Sequence, residues 1–184
     1  MISNRAQNSF DQMLTMGIKA SMGGKTPEAC QVEVVASLKD SRETNVVMLT
    51  VASFLFRISI LVYFSADEAT RTYFAAVNNI APSEMNEQAF LDSIRECGNI
   101  CCGTLNRELS RVYPHVAMST PNIIARKCVD HLDSLNVGHL QHFRATTDTG
   151  KQFHVSLCVR EYSNIDFEWA VVEETTAAGE MEFF

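Results

Sequence analysis

The sequence predicts a single α+β domain over residues 1–174, with long helices packed on an antiparallel sheet and a loose tail at 175–184. Three observations carry this. The length, 184 residues, suits one domain. Apolar residues recur at helical spacing in three stretches, 3–22, 65–77 and 86–111. Six other stretches alternate or concentrate β-branched and aromatic residues, and short connections between neighbours favour antiparallel pairing.

The first helix is expected over residues 3–22. Ser3 or Asn4 can cap it, Phe10, Met13, Leu14, Ile18 and Met22 form its inner stripe, and "GGKTP" at 23–27 ends it. "CQVEVVASL" (30–38) alternates Val32, Val34 and Ala36 with polar residues, as a half-buried strand does. "NVVMLTVAS" (45–53) and "RISILVYFS" (57–65) follow as strands. The run "FLFRISILVYF" (54–64) reads as a buried strand, because eleven residues with an arginine fall short of the roughly twenty that a membrane helix needs.

Ser65 is a natural N-cap for a helix over 65–77, with Asp67 and Glu68 in its first turn. A connector holding Pro82 leads to a long helix from about Asn86 to about Arg111. "VYPHVAMSTP" reads as irregular or a short strand, and "PNIIARKCVDHL" as opening with a helical turn at Pro121. Three strands are expected at the end, over 138–148, 151–162 and 166–174, with "DTGK" (148–151) turning between the first two.

Hydrophobic residues make up 46% of the chain, enough for a domain of this size to bury a core without staples. The net charge of −7 and the lack of a basic stripe argue against nucleic acid and against docking on anionic membranes. Met1 to Phe10 is polar and mixed rather than a secretory leader. The six cysteines are therefore expected as free, mostly buried thiols in a reducing cytoplasm. Cys97-x3-Cys101-Cys102 has no second spaced pair, so no metal site of the chain's own is expected. His115, His131, His139, His142 and His154 are read as surface or strand residues.

The informative stretch is "DSIRECGNICCG" (92–103) in the long helix. At about 100° per residue, Asp92, Glu96, Asn99 and Gly103 fall within about 60° of one another. Leu91, Ile94, Gly98, Cys101, Leu105 and Leu109 gather on roughly the opposite side and should bury the helix. Such a polar stripe is also what any solvated helix face looks like. Each mid-helix glycine costs about 1 kcal/mol against alanine, however. An outward Gly103 would repay that only if another backbone or a phosphate comes close.

Asp92-x3-Glu96-x2-Asn99, followed after 21 residues by Pro121 in "MSTPNII", resembles the signature of the CheC/CheX/FliY phosphatases of bacterial chemotaxis. In that signature an acid or serine precedes the Glu, and the last gap is about one residue longer. "FRISILVYFSADEATRTYF", "CGNICCGTLNREL" and "VGHLQHFRATTDTGKQFHVSLCV" resemble further family elements, and the likeness extends over about residues 5–172.

The resemblance implies a CheC-like α/β fold, and a CheX-like member with one site. The first helix has Met13 and Met16 where a second Glu and Asn would stand. It implies hydrolysis of the aspartyl phosphate of a CheY-type receiver domain. Asn99 would place the attacking water and Glu96 would contact the receiver's lysine. Asp92, Gly103 and Pro121 would support the site. The Mg2+ would belong to the receiver, this chain holding no cofactor. The resemblance also implies a homodimer joined through sheet edges. The alternative in another class is a non-catalytic module that docks a receiver domain or a flagellar switch component.

Overall fold

The computed structural model describes residues 1–24 and 26–170. In chain order these form α1 (Asn4–Met22), β1 (Gln31–Val35), β2 (Asn45–Ala52), β3 (Phe56–Phe64), α2 (Glu68–Val77), α3 (Glu87–Ser110), β4 (Ala117–Met118), β5 (Asn122–Ala125), β6 (His139–Thr146) and β7 (Gln152–Glu161), with short 3-10 turns between. The strands make one antiparallel seven-stranded sheet in the order β1-β6-β7-β3-β2-β4, and β5 also pairs with β2. The α+β expectation is thus met, as three helices on a seven-stranded antiparallel sheet.

The two faces of the sheet divide by the pleat. On β3, Phe56, Ile58, Ile60, Val62 and Phe64 join the large core that holds α1, α2 and α3. Leu61 and Tyr63 point the other way, into a smaller cluster with Leu38, Val46 and Cys158. Burial on both faces explains why β3 reads as a near-continuous apolar run. The run is shorter than expected at its start: Phe54 lies in the β2–β3 turn and is 74% exposed. Arg126 closes the second face over Tyr63, 4.6 Å from its ring centroid, and donates to Ser41 Oγ and the Leu38 carbonyl.

Local chemistry sets most boundaries. Ser3 caps α1 by accepting from the Ala6 N–H, and Asn86 caps α3 by accepting from the Ala89 N–H. The β6–β7 turn closes with Gly150 at φ 78, the left-handed region that suits glycine.

Three expectations need correction. The cap of α2 is Asp67, not Ser65: its carboxylate accepts from the Thr70 N–H and Oγ, both at 2.7 Å. The helix starts at Glu68 because this cap outcompetes a serine two residues earlier. Asp67→Ala is expected to cost about 1 kcal/mol, read as a lower urea midpoint at unchanged m-value. Asp67→Asn, which keeps the cap but loses the Lys151 ion pair at 3.6 Å, should cost less.

Pro121 opens a strand rather than a helical turn. Ile123 and Ile124 pair with Val47 and Val46 along β2, and a helical turn follows only at Arg126–Val129. The β-branched pair takes the free edge of β2, which outweighs the fit of proline to a helix start.

No strand forms over 166–170; residues 171–174 and the expected tail at 175–184 lie outside the described residues. Ile165, Phe167 and Trp169 are buried while Asp166, Glu168 and Ala170 are exposed. That is the alternation of a strand, but the surface beneath is a pair of helices. Trp169 N–H donates to Ser9 Oγ of α1, and its indole N–H donates to Glu108 Oε2 of α3. The segment is an extended strap.

Candidate functional site on the long helix

The inner face of α3 is anchored at close quarters. Phe90, Ile94, Cys97, Cys101, Cys102, Leu105 and Leu109 are all buried. Gly98 lies against β2, where a Cβ would come within 2.8 Å of Leu49 and 3.0 Å of Val47 side-chain atoms. Gly17 of α1 lies against the Cys101 carbonyl of α3, where a Cβ would sit 2.4 Å from that oxygen. Strand and neighbouring helix thus fix both the height and the rotation of α3.

That rotation presents the stripe outwards. Asp92 and Glu96 are exposed, and Asn99 and Gly103 are half-buried. Asp92 is tied within its own helix: Gln88 Nε2 donates to both its oxygens at 2.9 Å, and Arg95 pairs with it at 2.9 Å. Glu96 has a long contact only, receiving the Asn99 amide N–H at 3.4 Å. At Gly103 a Cβ would meet nothing within 4 Å. So the two mid-helix glycines have different origins. Gly98 is demanded by the fold, and Gly103 by nothing in the described residues.

Cys101 faces α1, and Asn99 lies about 160° around the helix from it. The carboxamide therefore points away from α1, toward the side where β4 and β5 edge the sheet. Pro121 stands on that side. It is half-buried, and the segment before it is pinned to β2, with Ser119 N–H donating to the Thr50 carbonyl at 2.8 Å and Thr50 N–H to Ser119 Oγ at 3.0 Å.

No family model matches the chain, and no curated protein matches it. Solved structures do. A chain of the CheX–CheY–BeF3–Mg2+ complex from Borrelia burgdorferi superposes with a TM-score of 0.63 at 14% identity, covering 83% of this chain and 98% of the other. CheX from Desulfovibrio desulfuricans gives 0.52 at 16% identity, with 83% and 97% covered. The chain has the CheC/CheX/FliY fold. The FliM middle domain of Vibrio alginolyticus also superposes, with a TM-score of 0.52 at 12% identity and 85% and 93% covered.

Within this CheX-like fold the first helix holds no second acid–amide pair. Met13 is fully buried in the core and Met16 packs partly against it. The thiols behind the stripe are inert. Burial pushes Cys97 and Cys102 up to about 12 and Cys101 well above its ordinary value, so they stay protonated and make poor nucleophiles or metal ligands. Cys30 and Cys158 are likewise buried, and Cys128 is exposed. His139, His142 and His154 pair with Asp11, Ser156 and Glu43 at 2.7, 2.7 and 2.5 Å, all away from α3. Two neighbours of the stripe escaped sequence reading: Ile100, 40% exposed beside Asn99, and Arg95, which occupies Asp92. No described helix is long and apolar enough to cross a membrane.

Proposed function

We propose that this protein hydrolyses the aspartyl phosphate of a CheY-type receiver domain. The observation that carries the reading is an outward carboxylate and carboxamide, Glu96 and Asn99, on a helix whose other side is locked to β2 and α1. Glu96 is exposed and Asn99 half-buried, the two in long contact at 3.4 Å. The supporting likeness is to a fold that includes a CheX solved together with CheY.

An acyl phosphate is already reactive, so the work left to an enzyme is positioning. The Asn99 amide holds a water in line with the phosphorus. The water oxygen attacks phosphorus, the bond from phosphorus to the aspartyl oxygen breaks, and the electron pair returns to the receiver's carboxylate as inorganic phosphate leaves. Glu96 makes a charge-assisted bond to the receiver's lysine and so sets the depth of insertion. Asp92, already held by Gln88 and Arg95, shapes the approach rather than the reaction. The Mg2+ belongs to the receiver's pocket. Pro121 keeps the neighbouring edge rigid.

The test is direct: add the protein to a phosphorylated receiver domain and follow loss of phosphate. Acceleration supports the reading. Binding with no change in decay would replace it with the docking-module reading, which the likeness to a FliM middle domain favours. Gly103→Ala offers a second check. With open space at its Cβ position, the substitution should stabilise the helix by up to about 1 kcal/mol while weakening receiver binding. A more stable variant with unchanged KM would remove the close approach at Gly103.

The resemblance also supports a homodimer. β1 is an open edge with Val34 60% exposed, suited to pairing with another edge. Sedimentation at micromolar concentration should give twice the chain mass; monomer mass would remove this part of the proposal.

A further inference from the structure

The strap after β7 ends where a groove begins. It runs along α1 in the direction of α1 itself: Ile165 bridges Ile2, Asp166 accepts from Ser3 and Arg5, and Trp169 N–H donates to Ser9 Oγ. Phe167 is held edge-on by Phe10 and Tyr113, with centroids 5.1 and 5.3 Å away. Directly ahead lies a cavity of about 580 Å³ on α1, bounded by Trp169 and by Gln12, Thr15, Met16, Lys19, Ala20 and Glu28. Met16 and Ala20 give it an apolar surface on a helix that is otherwise polar outside, and Trp169 closes one end.

We propose that residues 171–184 fill this groove as a ligand built into the chain. Three observations fit that occupant. The chain leaves the described residues at Ala170, next to Trp169 on the groove rim, with fourteen residues still to follow. The groove offers Lys19 as a cation, and the segment that follows opens on Val171 and Val172 and carries the acids Glu173, Glu174, Glu180 and Glu182. Glu28 shares the wall and restricts an acid to the Lys19 end. The segment carries further apolar residues, Met181, Phe183 and Phe184, to extend the contact. Tethering supplies it at an effective concentration on the order of millimolar, so that even a weak intrinsic affinity keeps the groove filled. The proposal does not rest on the phosphatase reading, since the stripe on α3 is not part of the groove.

Trp169 is the sole tryptophan of the sequence and stands on the groove wall, so its emission reports occupancy. The full chain is compared with a chain ending at Ala170, with circular dichroism to show that both are folded. Truncation should shift the emission to the red and make it more easily quenched by acrylamide, and a peptide of residues 171–184 should reverse both. Ala20→Glu in the full chain should reproduce the truncated spectrum and abolish the peptide effect on a chain ending at Ala170. Identical emission and quenching in full and truncated chains would overturn the proposal. So would a spectral difference that vanishes on dilution, because the segment would then be filling the groove of a second copy.

Discussion

Asn99→Ala should lower the rate at which this protein accelerates receiver dephosphorylation by about 100-fold, the usual loss when one positioned polar group is removed from a reacting centre. Receiver binding should hold, because Glu96 and the rest of the outward face are untouched. The substitution is clean. Asn99 makes one long contact, to Glu96 Oε2 at 3.4 Å, and sits half-buried on a helix where alanine is the better former. Stability should therefore not fall, and lost turnover cannot be put down to unfolding. Asn99→Asp sharpens the result: it keeps the shape but brings a negative charge toward a phosphoryl group beside Glu96, and should be no more active than alanine. Glu96→Ala should act differently, raising KM more than it lowers kcat, since its partner is a lysine rather than the water. If Asn99→Ala turns over like the unmodified protein, the water-positioning role is wrong even if the protein proves to be a phosphatase.

What could be read in advance follows from which interactions are local. The inner face of α3 is a periodic pattern in one helix, so Ile94, Cys101, Leu105 and Leu109 were placed correctly from spacing. So was the outward stripe, its geometric complement. Partners distant in sequence were not legible. Nothing local in "CGNICCG" separates Gly98, pressed by Val47 and Leu49 of a strand, from Gly103, which faces open space. "DFEWAVVEE" predicts a strand, but over 166–170 none forms, because the partners of Trp169 are Ser9 and Glu108 on two helices. "PNII" predicts a helical turn locally, whereas the free edge of β2 that captures it is more than seventy residues away in sequence. The Asp67 cap is a local contest between two good capping residues that the Thr70 bonds decide.

The second large effect concerns a residue with no chemical role. Gly17→Ala should destabilise the protein by about 2 kcal/mol, the scale of overpacking at a tight contact less the helix propensity gained. The Cβ would lie 2.4 Å from the Cys101 carbonyl oxygen and 3.2 Å from its carbon. These are backbone atoms of a buried helix, with no rotamer to escape into, so α1 and α3 must part or slide. For a domain of this size the melting temperature should drop by about 4–8 °C. Gly103→Ala, on α3 two residues beyond Cys101, is the matched control, because the same chemical change there meets nothing. The two substitutions should therefore move stability in opposite directions. The consequence also reaches the site. Cys101 lies two residues from Asn99, so a shift of α3 at this contact displaces the carboxamide. A displacement near 1 Å is enough to cost about 100-fold in a reaction that depends on positioning. Gly17→Ala should then lose turnover at temperatures where it is still fully folded. Full activity below its melting transition would mean that the α1–α3 contact supports the fold but does not set the reach of Asn99.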